Sequence, residues 1–315
     1  MSAKNSLLAT LTVLGDCLKD AALIDTALTV EHNLRASMLR QGLAVLVFAT
    51  MESFIRERTG ELLRSFSNPH LAFSDLLPSL QKATTIGALD GIRFRLKLQP
   101  TPDKINWLVG ALAPVASATS NLAQLSTYSF GQAASNLVED DVADILRAFG
   151  VYSPWAQITE LSRRLGVGTL DCESEFVTIK ERRHDSAHAL TASVLHPDLE
   201  GSLRSALAIC IGFDLLLSHA QRLFNDKLGP NKDNRPAMKH TDVQLVFVAP
   251  KPGSADRFIV RKEQLPPPAP TLKRSLRILP DYPSAVTFAR GYAGSRKIQL
   301  VVLDSTSTPT DWTTW

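Results

Sequence analysis

Several things are scarce in this chain of 315 residues. It has three cysteines, Cys17, Cys172 and Cys210, an odd and scattered set without a Cys-x-x-Cys pair. That argues against a disulfide framework and against a thiolate zinc knuckle. No uninterrupted apolar run approaches the roughly 18–20 residues of a membrane span. The first residues, MSAKNSLLATLTVLG, mix polar and apolar side chains around one Lys, without the apolar core and small-residue cleavage site of a signal peptide. The expectation is a cytoplasmic protein with no membrane contact. Gly166-Val167-Gly168 lacks the Lys-Ser/Thr or third Gly of a phosphate loop. Neither Ser53 nor Ser186 sits in a Gly-x-Ser-x-Gly elbow. No cofactor and no metal are expected. With 34 basic and 31 acidic residues, the net charge of +3 excludes a histone-like basic coat.

What is present is the make-up of a globular protein, 44% hydrophobic and 21% charged. Its character changes near residue 230. Residues 230–315 carry 13 Lys and Arg against 7 Asp and Glu, which leaves 21 and 24 for residues 1–229. An acidic body therefore precedes a basic extension. In the body, helical patterns cover 5–25, 30–64, 140–149, 154–165, 173–192 and 199–223, with a short helix from Asp103 to Leu112. Leu43 to Ala49 is seven apolar residues in a row, so that helix should be buried. Asn68-Pro69 should stop it, and Pro197 with Asp198 should start the last helix. In the extension, 243–249, 258–261, 276–279 and 298–303 read as strands, and 265–270 (LPPPAP) reads as a stiff spacer. So thin a core should lean on the body.

The stretch Lys180-Glu181-Arg182-Arg183-His184-Asp185-Ser186-Ala187-His188 carries the chemistry. Histidine moves protons near neutral pH. Arginine offers a permanently charged fork to phosphate oxygens. On an ideal helix Arg183 and His188 stand about 140° apart. Either Arg183 lies in the turn before the helix or its side chain wraps round. Glu52 interrupts an apolar stripe of Phe48, Met51, Ile55 and Leu62, and a carboxylate there needs a partner. That partner is either an Arg or His of the 180–188 stretch, which Glu52 would orient, or Arg56 at i+4.

Arg183-x4-His188, with a polar residue directly after the Arg, resembles the Arg-x4-6-His signature of the HEPN superfamily. The Glu52-Ser53-Phe54 element within 39–54, Ser135-Asn136-Leu137 and Ile145 to Gly150 resemble elements of bacterial families in it. The resemblance covers about 30–225. It implies a mainly α fold, a HEPN-like helical bundle over 1–229 with a small β-containing extension over 230–315. It also implies a metal-independent endoribonuclease acting as a homodimer, set in a bacterial toxin or antiphage defence system and restrained by an antitoxin or other partner protein. RNA would be cut through its 2′-OH to leave a 2′,3′-cyclic phosphate. Arg183 would clamp phosphate, His188 would be the base or acid, Glu52 would orient them and His184 would assist. Arg182, Asp185 and Ser186 would touch substrate.

Other readings stand beside this one. The stretch can be a solvated charged helix face. The domain can bind nucleotides or partners without cutting. His184 and His188 stand at i, i+4, a near relative of the zinc motif His-Glu-x-x-His, with His196 as a possible third ligand. In the extension, Lys273, Arg274 and Arg277, together with Arg290 to Lys297 and interleaved Tyr282, Phe288 and Tyr292, could hold RNA or simply be solvated strand faces.

Overall fold

A computed structural model describes residues 1–27, 29–66, 70–130, 136–167, 171–189, 193–226, 237–254, 256–263 and 273–313. The predicted stop at Asn68-Pro69, Ser135, Gly168, the 265–270 spacer, Trp315 and part of the breaker-rich stretch after 226 lie outside these residues.

Ser2 begins the chain's first helix, α1 (Ala3–Cys17), by accepting a hydrogen bond from the Asn5 N–H at 3.3 Å. The helix is shorter than predicted because Asp20 caps a separate turn through the Ala22 N–H. The long α2 (Val30–Leu63) carries the seven-residue apolar run. Ala44, Val47 and Phe48 point into the core with Met51, Phe54 and Ile55, but Leu46 is 52% exposed. A helix turns about 100° per residue, so a continuous run cannot face one way. Short α3 (Pro78–Lys82) passes through a π-turn into α4 (Ala88–Leu98), which is followed by α5 (Lys104–Ala116) and α6 (Glu139–Ala148). Pro154 opens α7 (Pro154–Leu165), and Gly166 closes it in the left-handed conformation at φ +79°. Then come α8 (Cys172–His188) and α9 (His196–Asn225), the latter with Pro197 in its first turn as predicted.

Nearly every residue of α9 from Ser205 to Gln221 is buried. Alpha2 and α9 are both long and apolar enough to cross a bilayer, although no uninterrupted run was evident; polar residues lie within each window. The α9 window is 78% buried inside the protein and the α2 window 39%. Gly212 lets α9 approach α7: a Cβ there would lie 2.9 Å from Ile158 Cγ2. The pairings Arg40 with Val194, Arg58 with Asp214 and Ser65 with Gln221 run in step, so α2 and α9 are parallel. Glu175 meets Ser205, and Arg182 meets Asp198 and Ser202, so α8 runs antiparallel to both.

The extension forms one mixed sheet of β1 (Leu245–Pro250), β2 (Phe258–Glu263), β3 (Lys273–Leu279), β4 (Gln299–Leu303) and β5 (Pro309–Trp312), in the order β3-β2-β1-β4-β5. Beta1 and β4 are parallel, and the other neighbours are antiparallel. Arg290 to Lys297 with Tyr282, Phe288 and Tyr292, offered as RNA-holding groups or solvated strand faces, fall not on a strand but mostly on a helix, α10 (Tyr282–Arg296), capped by Asp281 on the Ser284 N–H at 2.8 Å. Its small residues Ala285, Ala289 and Ala293 pack on Val246, Val248, Val260, Leu300 and Val302. The opposite sheet face, Leu245, Phe247, Val301, Leu303 and Trp312, joins the main core of the bundle. Covered on both faces, β1 and β4 read as unbroken apolar runs.

Two buried polar knots tie sheet to bundle. In one, fully buried Asp214 on α9 accepts from Arg58 Nε at 2.6 Å, Ser218 Oγ at 2.9 Å and Trp312 Nε1 at 2.7 Å. In the other, Arg164 on α7 grips Glu263 with Nε at 2.9 Å and Nη2 at 2.6 Å, and donates to the carbonyls of His240 and Val243.

Trp312→Phe keeps most of the ring and strips one donor from buried Asp214. We expect a loss of about 1–3 kcal/mol, read as a lower urea midpoint at unchanged slope. His219 on α9 is held neutral. Burial first, and the Arg222 charge second, lower its pKa to about 4. The unfolded chain titrates this group near 6.5, so it takes up a proton that the native state refuses. Stability is whole above about pH 6.5 and falls toward pH 4, by about 3 kcal/mol in full. His240, lowered by burial and Arg164, adds in the same direction. Urea melts at about pH 7 and pH 5 should show the loss, and His219→Gln should flatten it.

Candidate functional site

Asp171 starts α8 by accepting from the Glu173 N–H at 3.1 Å. The apolar positions Phe176 and Ile179 anchor the helix in the core, Phe176 against Phe48 and Trp155 with ring centroids 5.9 and 5.4 Å apart. Beyond Ile179 no residue of α8 is buried. The last two turns therefore stand out from the bundle, and they hold the whole predicted stretch.

Helical contacts reach through His188, with the Ala189 N–H bonding to the Asp185 carbonyl at 2.8 Å. Arg183 thus lies inside the helix and not in a turn before it. It is half-buried, and among the described residues its guanidinium makes no hydrogen bond or ion pair. His184 and His188 are both exposed, with ring centroids 4.8 Å apart. The site is an open helix surface bearing one cation and two imidazoles.

The neighbouring charges have other work. Arg182 donates to Ser202 Oγ at 2.5 Å and to the Asp198 carbonyl at 3.3 Å, and its second nitrogen lies 3.6 Å from the Asp198 carboxylate. Its predicted contact with substrate gives way to joining α8 to α9. Lys180 binds Glu139 at 2.5 Å, a hydrogen bond that holds the Glu139 carboxyl below its ordinary pKa. Glu173, at the other end of α8, is raised by burial and by the nearby charge of Asp171. Asp185 is exposed beside the histidines, and Ser186 Oγ is buried without a hydrogen-bond partner.

The structure does not bring Glu52 to this surface. Glu52 Oε1 accepts from Arg56 Nη2 at 2.6 Å and from the Leu137 N–H at 2.8 Å. The i+4 pairing that sequence offered as the alternative is the one formed, and it also joins the Glu52-Ser53-Phe54 element to Leu137. With Phe48 level with Phe176 on antiparallel helices, Glu52 and Arg183 lie about 16 Å apart along the axis. His196, weighed as a third metal ligand, places Nε2 2.7 Å from the Leu18 carbonyl and is not joined to the histidine pair. Among the described residues no three His, Cys, Asp or Glu side chains form a group able to hold a metal ion.

Sequence reasoning missed how the two adjacent arginines divide. Position alone does not signal it, because Arg183, at i+4 from Ile179 and i+7 from Phe176, lies as near the anchored stripe as Arg182 does at i+3 from Ile179. Comparison of the chain with family models, curated proteins and solved structures gave no match.

Because Arg182 has polar partners and Arg183 has none among the described residues, Arg182→Gln should lower the unfolding free energy by about 1 kcal/mol. Arg183→Gln should stay within about 0.5 kcal/mol of wild type in the same urea melts.

Proposed function

We propose that the chain is a HEPN-type, metal-independent endoribonuclease that acts as a homodimer. The observation that supports it best is the division of labour on α8. Arg182 and Lys180 are engaged by the protein, while among the described residues the side chains of Arg183, His184 and His188 make no hydrogen bond or ion pair, and the two imidazoles lie side by side.

In this reading His188 takes the proton from a ribose 2′-OH. The freed oxygen attacks the adjacent phosphorus, and Arg183 neutralises the charge gathering on the non-bridging oxygens. A second imidazole, from His184 or the partner's copy of the motif, protonates the departing 5′-oxygen. The P–O5′ bond breaks, and the products are a 2′,3′-cyclic phosphate and a 5′-hydroxyl. Asp185 flanks the substrate, whereas the buried Ser186 hydroxyl is out of its reach. Glu52 has no catalytic part and supports α2.

A dimer is needed because Arg183 and His188 diverge by about 140° round one helix, so one chain cannot close both on a single phosphate. Exposed Val30, Leu34 and Met38 form an i, i+4, i+8 stripe on α2, at the end of the bundle where α8 finishes. In this reading that stripe is the face a second copy covers. The body carries net negative charge, so RNA affinity comes from local groups and not from a bulk field. The setting is a cytoplasmic bacterial toxin or antiphage effector restrained by a partner protein.

The openness of the site favours one alternative, a module that binds nucleotides or a protein without cutting. Labelled RNA incubated with the protein in EDTA separates the two. Cleavage to cyclic phosphate ends that falls at least about 100-fold in His188→Ala and in Arg183→Ala is expected. Binding without cleavage by wild type favours the module. Activity lost in EDTA and restored by zinc would overturn both.

A further inference from the structure

The sheet carries a second candidate site, independent of the histidines. Beta1 and β4 lie side by side and parallel. The chain leaves the carboxyl end of β1 toward β2 on one side, and the carboxyl end of β4 toward β5 on the other. Two loops diverging from adjacent parallel strands open a crevice between them, the place where open α/β sheets hold ligands. A cavity of about 610 Å³ lies there, walled by the 251–254 and 303–307 segments.

The lining is chemically one-sided. Lys251 and Arg261 both line it, and the side chain of neither makes a hydrogen bond or ion pair among the described residues. The one acid in the lining, Asp304, is spent on its own turn: its Oδ1 accepts from the N–H groups of Thr306 and Thr308, at 2.8 and 2.9 Å, and from Thr306 Oγ1 at 2.7 Å. Ser254, Ser305 and Ser307 add hydroxyls, and Phe247 with Ile259 forms an apolar floor. Ser307 is held at a left-handed φ of +67°, and Gly253 opposite it at +75°. The sheet is irregular at both walls, where register shifts fall between Val260 and Arg261 and between Val302 and Leu303. Such bulges re-aim side chains beside functional sites.

We propose that this crevice binds a phosphorylated small molecule of mononucleotide size. Lys251 and Arg261 together outweigh the single carboxylate of Asp304 among the described lining residues, and an anion balances the excess. A guanidinium fork, an ammonium and nearby hydroxyls suit a phosphate better than a carboxylate. The volume exceeds what a lone phosphate fills and suits a ligand with an apolar body.

Calorimetric titration of the full chain tests this with AMP, GMP, ribose 5-phosphate, inorganic phosphate and citrate as probes. At least one phosphorylated organic probe should bind, more tightly than inorganic phosphate or citrate. Its affinity should fall about tenfold or more in Arg261→Gln and in Lys251→Gln, and partly return in Arg261→Lys. Urea melts of these variants should match wild type, because neither side chain has a polar partner to lose. Arg183→Gln and His188→Ala should bind the probe as wild type does, which separates this site from the proposed nuclease surface. No binding of any phosphorylated probe at millimolar concentration, equal binding of citrate, or unchanged binding in both sheet variants would overturn the proposal.

Discussion

The fully buried carboxylate of Asp214 governs how this protein holds together. Taking a charge out of water costs several kcal/mol unless its oxygens are satisfied. Here they are satisfied by three elements far apart in sequence: Arg58 on α2, Ser218 on its own helix and Trp312 on the last strand. Arg58 also reaches Glu61, which accepts from the Ala3 N–H, and Lys4 binds Asp311 and the Trp312 carbonyl. The first helix, the two central helices and the end of the sheet thus share one polar centre inside an apolar core. Loss of any one member leaves a buried charge, so the extension is energetically part of the bundle.

That arrangement also frames the proposed nuclease surface. Alpha2 and α9 form a rigid parallel pair, and α8 packs antiparallel across them through Phe176 and Ile179. Past Ile179, Arg182 holds α8 on α9 among the described residues. The next residues are carried outward on a helix anchored at its base. A reactive surface on a regular helix holds its groups at set angles, which suits the recognition of a backbone phosphate. It offers no enclosure, and a second molecule must supply that.

The sheet contrasts with this. Its crevice is a product of topology and not of a motif. Lys251 lies in the loop after β1, Arg261 on β2 and Asp304 in the loop after β4. Nothing in their spacing marks them as neighbours. They meet because a parallel pair sends its chain in opposite directions at one end.

Local signals in the sequence located the elements well where the cause was local. Pro154 and Gly166 bound α7 through backbone dihedrals, Pro197 opens α9, and the apolar runs of β1 and β4 announce strands buried on both faces. The Arg183-His188 stretch was legible as a polar candidate site, but whether Arg183 stood in the helix or in a turn before it was left open. Residues 282–296 were misread because Ala, Gly and Ser carry little periodic contrast; the helix forms where small residues let it lie close on the sheet. Glu52 was legible as needing a partner, but sequence did not choose between Arg56 and the distant motif. The sequence alone determined which residues could do chemistry and on which helix they sit, since helix and strand periods act over a few residues. The tertiary structure alone decided that Arg182 pairs with Asp198 and Ser202, that Trp312 completes the core and that Lys251 and Arg261 line one crevice. Those outcomes depend on contacts between segments remote in sequence, whose geometry no local pattern encodes.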